Sequence, residues 1–158
     1  RRNVLALLSA LDEFNHDLPL AAPPADDDFA DMLANLRRIA RPGSSVYLVS
    51  DFAGADRPHA REHLYQLAKR TEVTAVVCDD PLESALPRAG RYAVTDGAGR
   101  VELQTADRRL RSDYELRAQQ RRHALSDDLQ RLGIPLLEAH TDRPPYTLLQ
   151  YYYGDSRR

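Results

Sequence analysis

Apolar residues recur at Val4, Leu7, Leu8, Leu11 and Phe14, the three-and-four spacing of one helix face. Residues 15–24, with Pro19, Pro23 and Pro24, break that pattern into a loop. A second stripe, Phe29, Met32, Leu33, Leu36 and Ile39, predicts another helix, with the acidic run 26–28 as its cap and first turn. After the turn "RPGSS" the period changes. "VYLVSDF" (46–52) opens as a continuous apolar run, which predicts a fully buried strand over 45–50. "EVTAVVC" (72–78) is a second, β-branched run of the kind covered on both faces.

Between these runs, residues 57–70 place Leu64, Leu67 and Ala68 inward, with Pro58 near the helix start. "DDPLESALPRAG" has no period and reads as irregular. "RYAVTDGAGRVELQT" alternates on either side of Asp96-Gly97 and predicts a hairpin at about 91–104. A long helix over about 107–132 follows, closed by Gly133. Residues 134–140 predict a third strand. A last helix, about 144–152, carries Tyr146, Leu148, Leu149 and Tyr152 behind a Thr141 or Asp142 cap. Strands alternating with helices imply parallel pairing and a layered α/β fold.

The chain has 158 residues, enough for a single domain with a real core, and a formal net charge of −2. That charge gives no long-range attraction to nucleic acid or an anionic membrane. Cys78 is the only cysteine, so no internal disulfide can form, and its apolar run reads as a site for an inert thiol. No apolar stretch approaches the ~18 residues of a membrane-spanning helix. A chain that starts at Arg1 directly on a helical pattern reads as part of a longer protein.

Four stretches carry candidate chemistry. Asp51 ends the first strand, and a buried unpaired carboxylate costs several kcal/mol, so it belongs at the strand's exposed end. In open α/β sheets ligands bind outside the carboxyl ends of the strands. There Asp51, at the carboxyl end of what is expected to be a central parallel strand, either ligates Mg²⁺ or bonds the loop amides beyond it. The run Asp26, Asp27, Asp28 is either a set of oxygen ligands or a solvated first turn. "HAREH" (59–63) fits the H-x-x-E-H spacing of inverted zinc peptidases, with Glu83 or Glu102 as nominal third ligands, against a plain solvent-facing helix. "DRRLRSDYELRAQQRRH" (107–123) interleaves Asp107, Asp113 and Glu115 among its arginines, which favours a mixed-charge face over nucleic-acid binding. The final "QYYYGDSRR" cannot turn three tyrosines toward one core, so one or two are expected to be exposed. No phosphate-binding glycine loop and no G-x-S-x-G elbow occurs.

"VYLVSDF", "EVTAVVCDDPLESALPRAGRYAVTDGAGRVEL" and "RSDYELRAQQRRHALSDDLQRLGIPLLEAHTDRPPYTLLQYYY" resemble the bacterial domain of unknown function family fifty-eight. The stretch Asp80–Asp96 is the most specific part, and the resemblance covers most of 44–153. The family is similar to von Willebrand factor A domains and commonly accompanies MoxR-type AAA+ ATPases. The resemblance implies a three-layer, Rossmann-like α/β fold with a mainly parallel sheet. It would lack the N-terminal strand of such a domain and carry the hairpin as an insertion.

By the same resemblance Asp51 takes the place of the last Asp of a metal-ion-dependent adhesion site. Asp27 takes the place of its second-loop Thr, and Phe52, Asp26 and Asp28 are interaction candidates. The Asp-x-Ser-x-Ser motif of that site occurs nowhere in the chain. Magnesium demands near-octahedral oxygen coordination, so Mg²⁺ is expected in a full-length parent and no cofactor in this chain. The implied function is a non-enzymatic, metal-assisted protein-interaction domain that partners a MoxR-type ATPase and takes no nucleic acid. It would be a cytoplasmic domain of a parent that is membrane-anchored in many members. Its unpaired sheet edge invites self-association. The alternative is a Mg-dependent hydrolase or phosphotransfer enzyme using Asp51 with Asp26, Asp27 and Asp28.

Overall fold

The computed structural model describes residues 2–16, 28–95 and 99–154. The elements in chain order are α1 (Arg2–His16), α2 (Asp28–Ile39), β1 (Ser45–Ser50), α3 (Pro58–Ala68), β2 (Glu72–Asp79), α4 (Pro81–Ser84), β3 (Arg91–Thr95), β4 (Arg100–Gln104), α5 (Arg108–Arg131), β5 (Leu136–His140) and α6 (Pro145–Tyr153). The sequence periods therefore locate each main element to within a few residues. The short helix α4, inside a stretch read as irregular, is the exception. It forms because Asp80 caps it, its carboxylate accepting from the Leu82 amide at 2.8 Å, and Pro81 presets the first turn.

Strands β1, β2 and β5 form a parallel sheet in the order β1-β2-β5. The register pairs Val46 with Val73, Leu48 with Ala75, and Ala75 with Leu136. Two expectations for the first strand are corrected here. β1 is an edge strand among the described residues, and β2 is the central one. β1 is also buried on one face only. Val46 and Leu48 point into the core, whereas Tyr47 and Val49 are 57% and 66% exposed. The run is apolar at every position, so period alone could not show that one face lacks a cover.

The covered face meets α2, α3 and the end of α5. Leu33, Leu67 and Leu129 are fully buried there beside Val73, Ala75 and Ala60. Each such leucine contributes roughly 2 kcal/mol of burial. Helix α5 stops where Gly133 adopts φ 67°, and the Ile134 and Gly133 amides return to the carbonyls of Leu129 and Gln130. That paired return is the Schellman cap, and it turns the chain into β5. On the other face of the sheet α6 lies against β5, and the Tyr153 and Tyr47 side chains share a hydrogen bond. All three of Tyr151, Tyr152 and Tyr153 are substantially exposed. The apolar stripe of α1 is exposed as well.

The hairpin forms as expected. β3 and β4 pair antiparallel, Tyr92 opposite Leu103 and Val94 opposite Val101. It stands apart from the three-stranded sheet. Its base is fixed by Thr105, fully buried, whose hydroxyl donates to the Arg88 carbonyl at 2.8 Å and accepts from the Gly90 amide at 3.1 Å. No helix among the described residues is long and apolar enough to cross a membrane.

Candidate functional site at the carboxyl ends of the strands

Asp51 leaves the carboxyl end of β1 and is exposed. One carboxylate oxygen accepts the Ala53 amide at 3.0 Å and the Ser50 hydroxyl at 3.3 Å. The Ser50 hydroxyl in turn accepts the Phe52 amide at 3.1 Å. These bonds hold a tight turn in which Phe52 has φ 58° and Gly54 φ 82°. A phenylalanine in the left-handed region is strained. Burial offsets that strain, because the Phe52 ring is inside the core, 5.5 Å from the ring of Phe29.

The turn forms one wall of a cleft of about 380 Å³. The floor is Val77 and Cys78 of β2, and the far wall is Ala118, Arg121, Arg122 and Leu125 of α5. Asp79, at the end of β2, and Glu83 and Ser84 of α4 close it. Asp79 is buried and fully engaged. Its Oδ2 accepts from Arg122 Nη1 at 3.1 Å and from the Ser84 hydroxyl at 3.3 Å, with His140 Nδ1 at 3.5 Å. The other arm of Arg122 reaches Glu138 on β5 at 3.1 Å. A single guanidinium thus ties α5 to the end of β2 and to the middle of β5.

Glu83, although largely exposed, titrates above the usual carboxylate range, first because its slight burial disfavours the charge, then because Asp79, Asp51 and Asp80 repel it. Asp80 titrates below that range, chiefly because the Thr141 hydroxyl donates to it at 2.6 Å, with help from the Leu82 amide. The acidic field of Asp51 and Asp79 is therefore felt at one shared place.

Of the residues singled out from sequence, Asp51 lies on this cleft and Phe52 contributes to its wall from inside the core. Asp28 opens α2 and is exposed. Asp26 and Asp27 lie outside the described residues. In "HAREH", His63 Nδ1 accepts from Arg37 at 2.7 Å and Glu62 accepts from Gln66 at 2.8 Å, so one of the two histidines and the glutamate of that motif are already engaged. Among the described residues no three His, Cys, Asp or Glu side chains converge as a metal site. Magnesium fits poorly at Asp51 and Asp79 because both carboxylates already have partners. Asp79 already faces a guanidinium, and one oxygen of Asp51 is held by its own turn.

Sequence reasoning missed Asp79, Ser84 and Arg122. Asp79 carried the same signal as Asp51, a carboxylate at the end of an apolar strand. Arg122 carried none, since its partner is 43 positions away.

The family described as "Protein of unknown function DUF58" matches residues 1–124. The chain belongs to that family. No curated protein and no solved structure matches it.

Proposed function

We propose that this chain is a non-enzymatic protein-interaction domain, similar in fold to a von Willebrand factor A domain, that works beside a MoxR-type AAA+ ATPase. One observation carries the reading. The exposed carboxylate of Asp51 sits at the end of an edge strand whose outward face presents Tyr47 and Val49 to solvent. A charged rim beside an apolar strand face that Tyr153 of α6 reaches but leaves largely exposed suits a protein partner better than a small molecule. In this reading Asp51, with Asp27, is the remnant of a metal-assisted contact. The metal belongs to a full-length, membrane-anchored parent rather than to these residues alone. The edge of β1 receives the partner or a further strand.

The experiment is capture of a MoxR-type ATPase by wild type, Asp51→Ala and Val49→Lys. Circular dichroism confirms that each variant folds, Asp51→Ala above all because Asp51 holds the turn before Ala53, and both variants lose the ATPase. Undiminished capture by both would end the proposal. Calorimetric titration of the full-length protein with Mg²⁺ or Mn²⁺ tests the metal separately: equal heats from wild type and Asp51→Ala remove metal from the account.

One observation favours the enzymatic alternative. Two strand-end carboxylates, Asp51 and Asp79, share a cleft with Glu83, whose raised pKa suits a general acid or base. Against it, Asp79 is neutralised by Arg122. Mg²⁺-dependent turnover of a phosphate ester by wild type, abolished in Asp51→Asn, would establish that reading instead.

A further inference from the structure

The hairpin β3–β4 is an amphipathic ribbon with an uncovered apolar face. Its register places Tyr92, Val94, Val101 and Leu103 on one face, and Val94 and Val101 are 49% and 64% exposed. The opposite face carries Arg91, Glu102 and Arg100, with Arg91 and Glu102 3.7 Å apart. An isolated two-stranded ribbon is marginal in water and gains from further strands. Among the described residues β4 pairs only with β3, so its outer edge is open.

The charges on β4 specify what fits that edge. In an antiparallel pair, directly opposed residues lie on the same face. If two copies of β4 run antiparallel about an axis through Val101, Val101 meets Val101. Arg100 of each copy then meets Glu102 of the other. On the polar face Glu102, which lies diagonally from Arg91 of its own hairpin, then also meets Arg100 of the other copy, and the two apolar faces join into one. Shifting the axis to Glu102 would oppose two carboxylates and is disfavoured. The edge of β1 has no such code. Its six residues, Ser45–Ser50, are uncharged and fix no register.

We propose that β4 is a self-pairing edge and that its occupant is β4 of a second copy, giving a four-stranded antiparallel sheet across a two-fold axis. This is independent of the ATPase reading, which rests on the β1 rim.

The test is self-association by analytical ultracentrifugation over a concentration series, with folding followed by circular dichroism. Wild type self-associates. Arg100→Glu and Glu102→Arg each weaken it about tenfold, by opposing like charges at both symmetric positions, and the double reversal restores it. In a Cys78→Ser background, Val101→Cys forms a disulfide-linked dimer and Val94→Cys, on the other strand, does not. A protein that stays monomeric throughout, or a double reversal that fails to rescue, overturns the proposal. So does a dimer lost with Val49→Lys but indifferent to Arg100 and Glu102, since that places self-association on β1.

Discussion

At the scale of single residues, the cleft is governed by how its carboxylates are matched. Asp51 bonds its own turn, Asp79 holds Arg122, Asp80 caps α4, and Glu83 is left among like charges. The sign of the consequence follows from linkage. A carboxyl whose pKa is raised in the folded state binds its proton more tightly there than in the unfolded chain. Stability is therefore lost as the pH climbs from the ordinary value near 4.5 through the raised one. Glu83→Gln removes that loss. Thermal unfolding across a pH series should show the variant more stable than wild type at neutral pH, with the difference closing in acid. A variant less stable at neutral pH would mean that Glu83 makes a favourable contact instead. Asp80 has the opposite sign: its stabilisation is full above the ordinary value and disappears as the pH drops through the lowered one.

At the scale of elements, one side chain couples three of them. Arg122 joins α5 to Asp79 on β2, Ser84 on α4 and Glu138 on β5. Without it the buried Asp79 keeps only Ser84 and His140. Breaking a buried pair from one side costs several kcal/mol, and partial exposure of Arg122 reduces that to about 2 kcal/mol. Arg122→Met should lower the urea midpoint accordingly. Asp79→Asn in the same chain should recover much of the loss, because the stranded charge is gone. An additive double variant would mean that the pair itself contributes little. The element boundaries were legible from period, caps and turn residues: the stripe of α2, the glycine after α5 and the alternation around residues 96–97 each mark one. The helix α4 was not, since one turn has no period and only Asp80-Pro81 announces it.

At the scale of the whole molecule, stability is distributed unevenly. The central strand β2 is paired on both sides and lies against the core, whereas β3, β4 and α1 have exposed faces and few contacts with the rest. Local opening follows burial. Hydrogen exchange at low protein concentration should find the slowest amides in β2 and fast exchange in α1 and the hairpin. Hairpin amides as slow as those of β2 would contradict this picture and require a cover for the ribbon within a single copy.

Sequence alone determined which segments are helix and which are strand, because hydrophobic spacing and end signals are local properties of the chain. It also placed Asp51 at a strand's solvent end, since burying a lone carboxylate is too costly. Only the tertiary structure decided that β1 is an edge strand with one largely exposed face. It also decided that Asp79, Glu83 and Arg122 meet beside Asp51. Strand order and the pairing of distant side chains depend on which surfaces come together in space, and a one-dimensional pattern holds no record of that.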